Sequence, residues 1–467
     1  MKRLEAIVQP QQPAFKNLLS ASPQKIVLQA GSEGAAGRKL RVLILPNVAS
    51  WIVGQMAMQI IRCFGDRYEF WFLTDKMITL RPDLVRALLP AMDFVFPLTD
   101  KSFKLLRQAA GSLPLPSSIF WVHHVTSWNP SMRDALKSAT ELIACTPEWK
   151  SQIEAQGFRQ PVTVVRHGVD ANFFCRATPE RAKFGMPEDA FVVGLLGNKT
   201  SNYDAGRKGL DTLEMVAREA QRCIPNLHLC FLGLGWDKEV HQFQRLGVSA
   251  NYTGFIPQSC LPAFYSSVDV HLVTSRVEGG PVTVLEAMAC ETPVVSTRVG
   301  LVDLTIVNGK NGFSAETDDI ESLVQHLCEL SRSKDLRRDI GAAARASVEQ
   351  RLSWDETLHQ LEEPLARMEA RANRSRAATS QASLNAASQL LGAVHTMDGL
   401  LWAMMSWWRR LISSRVAFRM ALACWEGYGV GDVWRGMQLV TRSSFRPASV
   451  RKTLSVRAAE KKTEDKP

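Results

Sequence analysis

The chain reads as an α/β protein with two doubly wound domains facing a central cleft, followed by a helical cationic extension. Three observations predict this. Short apolar runs alternate with helix-length segments, the runs fall into two sets, and 467 residues hold two or three domains at about 100–200 residues each. Nearly continuous apolar runs are expected of parallel strands buried on both faces.

Residues 1–38, rich in Pro, Gln, Ser and Gly and ending in GSEGAAGRK, form a flexible lead-in. The first set of strands is RVLIL (41–45), YEFWFL (68–73), DFVFPL (93–98), SIFWVHH (118–124), ELIACT (141–146) and VTVVRHGV (162–169). These make a domain over 39–172. A polar stretch at 170–188 parts them from AFVVGLLG (190–197), LHLCFLG (227–233), ANYTGF (250–255), VDVHLVT (268–274) and PVVSTRV (293–299), a second domain over 173–350. LSWDETLHQLEEPLARM predicts a closing helix within 351–370, and 371–467 is a basic Trp- and Arg-rich extension.

With 46% hydrophobic and 22% charged residues, the composition is globular. Nine scattered cysteines without a C-x-x-C pair argue for a reducing compartment, against a disulfide framework and against a zinc site. The opening MKRLEAIVQPQQPAFKNLL lacks an apolar core, so no signal peptide is expected, and a cytoplasmic location follows. The net charge of +10 resides in the extension: residues 371–467 hold 16 basic and 6 acidic side chains, and the remainder 40 of each. A neutral body argues against nucleic-acid binding.

Residues 278–286, EGGPVTVLE, carry the chemistry. Proline is tolerated at the first helical position, which places Pro281 there and Gly280 at the N-cap. The uncapped amides of Val282 and Thr283, at the positive end of a helix dipole, would bind an anion such as a diphosphate. Glu278 and Glu286 flank that site, with Glu286 about two turns into the helix. Carboxylates beside a phosphate are favoured only when they hold hydroxyl donors, and sugar hydroxyls are the natural ones. The alternative is a strand–turn–helix with two surface glutamates.

With the preceding strand and the following AMACETPVVSTRVG, the segment 250–316 resembles the donor-binding block of the group 1 glycosyltransferases. These are retaining, nucleotide-sugar-dependent enzymes of the GT-B fold, and the resemblance extends more weakly from about residue 40 to 370. It implies that Glu278 contacts the transferred sugar, that Glu286 holds the ribose, and that the donor is a UDP- or GDP-linked sugar rather than a separate cofactor. LLGNKTSNYDAGRKGLD (195–211) matches the family's cationic clamp through Lys208 and Gly209; Asn198 and Lys199 stand where the family has an arginine. Lys199 is a point charge and not a bidentate fork. The alternative for Lys199, Arg207 and Lys208 is a solvated loop. No Asp-x-Asp occurs, so no metal is expected.

In the N-terminal half, Gly54 sits where the family has a glycine-rich loop near the phosphates. His123 or His124 resembles a family histidine that reaches the cleft, with His123 preferred. RHGVD (166–170) resembles a hinge signature and reads as structural. Glu291 occupies a usual glycine position and Leu301 replaces one of a glycine pair.

The resemblance implies transfer of a hexose to a glycan, lipid-linked or small-molecule acceptor, with Glu278, His123 and Lys208 at the reacting centre. The alternatives are a non-catalytic nucleotide-sugar-binding module, or an epimerase or phosphorylase on the same fold. For 399–425, with Trp residues beside Arg409, Arg410, Arg415 and Arg419, three readings stand. One is an interfacial helix on an anionic membrane surface, placing the protein on the cytoplasmic face; another is a helical hairpin on the body or a partner. A transmembrane or re-entrant segment is disfavoured by the ten-residue apolar run between Asp398 and Arg409.

Overall fold

The computed structural model describes residues 39–49, 52–125, 127–199 and 202–375. The lead-in and residues 376–467 of the basic extension, including 399–425, lie outside the described residues. Among the described residues no helix is long and apolar enough to cross a membrane.

Twelve strands form two parallel six-stranded sheets, as the apolar runs predict. The first holds β1 (Leu40–Leu45), β2 (Tyr68–Phe72), β3 (Phe94–Pro97), β4 (Ser117–Val122), β5 (Glu141–Ala144) and β6 (Val162–Val164), in the order β2-β1-β3-β4-β5-β6. The second holds β7 (Phe191–Leu196), β8 (Leu227–Leu232), β9 (Ser249–Gly254), β10 (Val270–Val273), β11 (Val294–Thr297) and β12 (Phe313–Ala315), in the order β12-β11-β10-β7-β8-β9. Strand β12, only FSA, is the one the sequence pattern did not indicate.

All six residues of β1 are buried, including Arg41, whose guanidinium pairs with Glu69 while its backbone N–H bonds Asp93. A charge is tolerated in this interior position because its partners accompany it. In the second sheet the strand order reverses between the parallel neighbours β7 and β10, so the loops after these strands flank a switch point. Ligands in open parallel sheets collect at such points.

The closing segment is a short helix Trp354–Leu358, one turn of 3-10 helix, and a helix Glu362–Ser375. The single helix expected there is broken, and its apolar side chains Trp354, Leu358, Leu361, Leu365 and Met368 enter the core of the first sheet. Arg67 bridges Glu362 and Glu369, and Arg367 reaches the buried Glu141, fastening the returning chain. Gly168 of RHGVD lies against this crossing, where a Cβ would stand 2.8 Å from Trp354 Cα. Two cysteines are not free: Cys223 and Cys328 form a disulfide between helices Leu210–Cys223 and Ile320–Arg332, which their scattered spacing did not signal.

Candidate functional site

Gly197 directly follows strand β7, and Lys208 Nζ passes 2.8 Å from where a Cβ there would sit. Gly209 adopts φ +62 and caps the helix Leu210–Cys223, a left-handed conformation open to glycine without strain. Thr274 Oγ1, just past β10, donates to Lys208 O at 2.9 Å. The Lys-Gly pair is thereby fixed beside the switch point.

The segment after β10 is held equally firmly. Arg276 makes forked contacts to Asp211 and Asp318 and donates to Gly206 O. Its guanidinium holds both carboxyls below their ordinary range. The backbone N–H of Arg276 donates to Arg207 O at 2.7 Å, and Arg207 Nη1 donates to Val277 O at 3.1 Å. These bonds bring Arg207 Nη1 to 2.8 Å from Glu278 Oε1, with Lys208 Nζ at 3.9 Å and Ser275 Oγ at 3.1 Å from the same oxygen. The three charged side chains are mostly buried, each exposed by less than a fifth.

Gly279 and Gly280 are required by what lies against them. A Cβ on Gly279 would penetrate the backbone carbonyl of His123, at the end of β4, and approach Cys145 Sγ to 2.9 Å. A Cβ on Gly280 would stand 2.6 Å from Leu301 Cδ1 and 3.0 Å from His167 Nδ1. Trp149 Nε1 donates to Glu278 O at 3.3 Å. The loop after β10 therefore touches elements that follow β4, β5 and β6 of the other sheet.

The helix beyond this loop runs Val282–Ala289 and is capped by Pro281, which contributes no side-chain hydrogen bond. This corrects the expected placement of Gly280 at the N-cap. Pro281, at ψ 93, stays outside the helix while its carbonyl accepts from Val284 N–H at 2.8 Å. Val282 and Thr283 head the helix and are only partly buried. Glu286 is its fifth residue, little more than one turn in, and is 4% exposed. Its Oε2 accepts from Tyr265 OH at 2.7 Å. Burial lifts its carboxyl to about 7, against the lowering effect of the tyrosine bond.

The two histidines separate. His123 Nε2 donates to Leu98 O at 2.8 Å, so its Nδ1 accepts, at 2.9 Å, from His167 Nε2. The neutral His167 then has no proton on Nδ1 for Gly280 O, which lies 3.3 Å away, the longest of these three contacts. Burial holds His123 well below the ordinary imidazole range and His167 at about 4. His124 feels Glu278, Arg207 and Lys208, and burial outweighs the carboxylate to depress it too. The preferred His123 is thus engaged through both ring nitrogens, and His124 is the imidazole near the charged cluster.

Lys199 Nζ pairs with Glu239 at 2.6 Å, both side chains nearly buried, so its charge is neutralised by that carboxylate. Arg207, next to Lys208 in sequence, stands at Glu278 instead. Gly54 is the third residue of the helix Ile52–Phe64, where a Cβ would collide with the carbonyls of Val48 and Ala49. A polar group not anticipated from sequence follows β2 and β3: Ser102 Oγ donates to Asp75 Oδ1 at 2.6 Å, and Lys101 lies 3.3 Å from Oδ2. Among the described residues no three His, Cys, Asp or Glu side chains converge as metal ligands.

Residues 181–347 match the family described as glycosyl transferases group 1. A sulfoquinovosyl transferase of Arabidopsis thaliana is 32% identical over 172 residues, 36% of this chain and 32% of the relative. A GDP-mannose-dependent phosphatidylinositol monomannoside mannosyltransferase of Mycolicibacterium smegmatis is 28% identical over 245 residues, 48% of this chain and 62% of the relative. The chain thus spans roughly a third to two thirds of the length of these relatives. The fold is similar to that of HepE of Anabaena, solved with UDP and glucose (TM-score 0.58, 20% identity, 70% of this chain and 100% of that one). It is also similar to a sucrose-phosphate synthase of Thermosynechococcus elongatus (TM-score 0.59, 17% identity, 71% and 100%). These solved neighbours are GT-B glycosyltransferases, and the chain has that fold.

Proposed function

We propose, from the match of residues 181–347 to the group 1 glycosyl transferases, that this chain transfers a hexose with retention from a nucleotide diphosphate sugar. The observation that carries the reading is the meeting of Arg207, Lys208 and Glu278 beside the uncapped start of the helix Val282–Ala289. Two cations and two helix-end amides suit a diphosphate, and a carboxylate next to them suits a sugar hydroxyl. Support for the donor class comes from relatives: one is named for GDP-mannose, and the Anabaena neighbour was solved with UDP and glucose.

In this reading Arg207 and Lys208 neutralise the diphosphate as the bond from its oxygen to the anomeric carbon breaks. Val282 and Thr283 donate backbone N–H groups to the same anion, Glu278 orients the sugar, and Glu286 takes the ribose. Lys199, paired with Glu239, shapes the loop after β7 and leaves the clamp to Arg207. The acceptor hydroxyl attacks the same face of the sugar and its proton passes to the departing diphosphate. His124, held neutral, stands on the acceptor side, and His123 with Gly54 fixes the backbone around it. The chain's own contribution is positioning and electrostatic stabilisation in a site closed to water.

The acceptor is a glycan, a lipid-linked glycan or a small hydroxyl compound, and an anionic membrane surface engaged through 399–425 would bring the enzyme to a lipid-linked one. The test is a thermal-shift screen with UDP, GDP and their sugars, followed by turnover assays with and without acceptor. A rise in melting temperature with one nucleotide class and acceptor-dependent release of its diphosphate are expected. A protein that responds to neither class would overturn the assignment.

A further inference from the structure

Glu286 lies in a setting that its proposed contact with ribose does not explain. The carboxylate is buried, and the one hydrogen bond made to it among the described residues comes from Tyr265 OH, itself buried, at 2.7 Å. Tyr265 belongs to the helix Leu261–Ser267 between β9 and β10. Its ring meets Phe174, Phe264 and His271 edge-on, the last at 5.6 Å, and its carbonyl accepts from Thr292 Oγ1 at 2.8 Å. The phenol is thus immobilised on every side and its hydroxyl has a single aim.

Among the described residues no cation pairs with Glu286. Cys290, the residue that caps the end of the helix Val282–Ala289, is a thiol kept protonated by burial and by the charge of Glu286. His271, behind the tyrosine, is held at about 4 by burial and is neutral. An isolated buried carboxylate is costly, and one strong donor determines both its rotamer and its ionisation.

We propose that Tyr265 is a positioning residue for nucleotide recognition: its hydroxyl takes Glu286 Oε2 and presents Oε1 to the ribose hydroxyls of the donor. This rests on the reading of Glu286 as the ribose ligand. Tyr265 then fixes the direction of the free oxygen and helps keep the group ionised near neutral pH. Without it the carboxyl would retain its proton to higher pH and turn freely.

The experiment is calorimetric binding of UDP, GDP and inorganic pyrophosphate to the full chain and to Tyr265→Phe, at about pH 7 and about pH 9. For the nucleotide that the wild-type protein binds, Tyr265→Phe should lose about 5–10-fold in affinity at neutral pH, the loss of one charge-assisted hydrogen bond. The loss should shrink at the higher pH, and pyrophosphate affinity should be unchanged. Equal weakening of pyrophosphate, or nucleotide affinity unchanged at both pH values, would overturn the proposal.

Glu286→Gln separates the two readings. If it binds nucleotide as tightly as wild type, the ribose assignment fails and the role of Tyr265 falls with it. If Glu286→Gln weakens nucleotide binding while Tyr265→Phe does not, only the positioning role is lost. Failure of both UDP and GDP to bind the wild-type protein would overturn the functional reading itself.

Discussion

Arg207 Nη1 stands 2.8 Å from Glu278 Oε1, and Lys208 Nζ 3.9 Å from the same oxygen, so one carboxylate offsets two adjacent cations. A diphosphate entering beside them would draw both cations to its own oxygens and leave Glu278 for a hydroxyl. Lys208→Ala should therefore lower kcat about 100-fold or more, since its charge is most needed as the diphosphate departs. Arg207→Ala should do the same and also raise the donor KM, because the fork additionally holds Val277 O. Steady-state kinetics with saturating acceptor check both, and wild-type turnover in Lys208→Ala would remove it from the transition state.

Gly279 gives a sharper geometric prediction. Its Cα lies so near the His123 carbonyl that any Cβ would occupy the space of that oxygen, and both partners are backbone. Gly279→Ala must push the loop after β10 away from the element after β4. Glu278 and the start of the helix Val282–Ala289 would move with it. Misplacement near 1 Å is enough to reduce kcat/KM by about 100-fold. Each domain should keep its own core, so far-ultraviolet circular dichroism should be unchanged while activity is lost. An active Gly279→Ala protein would show that the loop tolerates displacement.

The contrast between Gly279 and the strands shows what the sequence could reveal. Runs such as RVLIL and LHLCFLG are legible because parallel strands bury both faces, and the pattern is local. Glu278 and Lys208 could be singled out because each directly precedes a glycine in a local motif. The partners of those residues were not. Arg207 belongs at Glu278 only because its backbone is tied to Arg276 across a loop, and Tyr265 meets Glu286 across two elements. His123 and His124 are neighbours that the strand pattern does not distinguish; the bond from His123 to the carbonyl of Leu98, just past β3, is a tertiary contact. The Lys199–Glu239 pair was hidden for the same reason, since its members lie forty residues apart.

Glu291 tests a departure from the family pattern. It follows the helix Val282–Ala289 at φ +58, a left-handed conformation, which explains why glycine is usual at this position. A side chain in that conformation costs about 1–2 kcal/mol. Glycine would relieve this but add about 0.5–1 kcal/mol of unfolded-state entropy and forgo the exposed pair with Arg176. Glu291→Gly should thus stabilise the protein by about 0.5 kcal/mol, read as a higher urea midpoint with an unchanged slope. A clear loss of stability would mean that the Arg176 pair outweighs the backbone strain.

Glu286 supplies the pH test. Its folded value of about 7 lies above the 4.5 of an exposed glutamic acid. The protonated carboxyl therefore favours the folded state: the stability it contributes is fully present below about pH 4.5 and is lost as pH rises through about 7. The gap between those two values corresponds to about 3 kcal/mol at alkaline pH. Glutamine keeps the shape and an acceptor for Tyr265 OH but cannot ionise. Glu286→Gln should match wild type near pH 4.5 and exceed it by up to about 3 kcal/mol near pH 8.5. His123, His167 and His271, whose imidazoles desolvation depresses, titrate in the opposite sense, losing their contribution as pH falls, but they are common to both proteins and cancel in the difference. Urea denaturation of the two proteins across this range measures that difference directly. Parallel curves would mean that Glu286 ionises as freely as in water, and a gain in stability accompanied by loss of nucleotide binding would show a carboxylate kept for function at the expense of the fold.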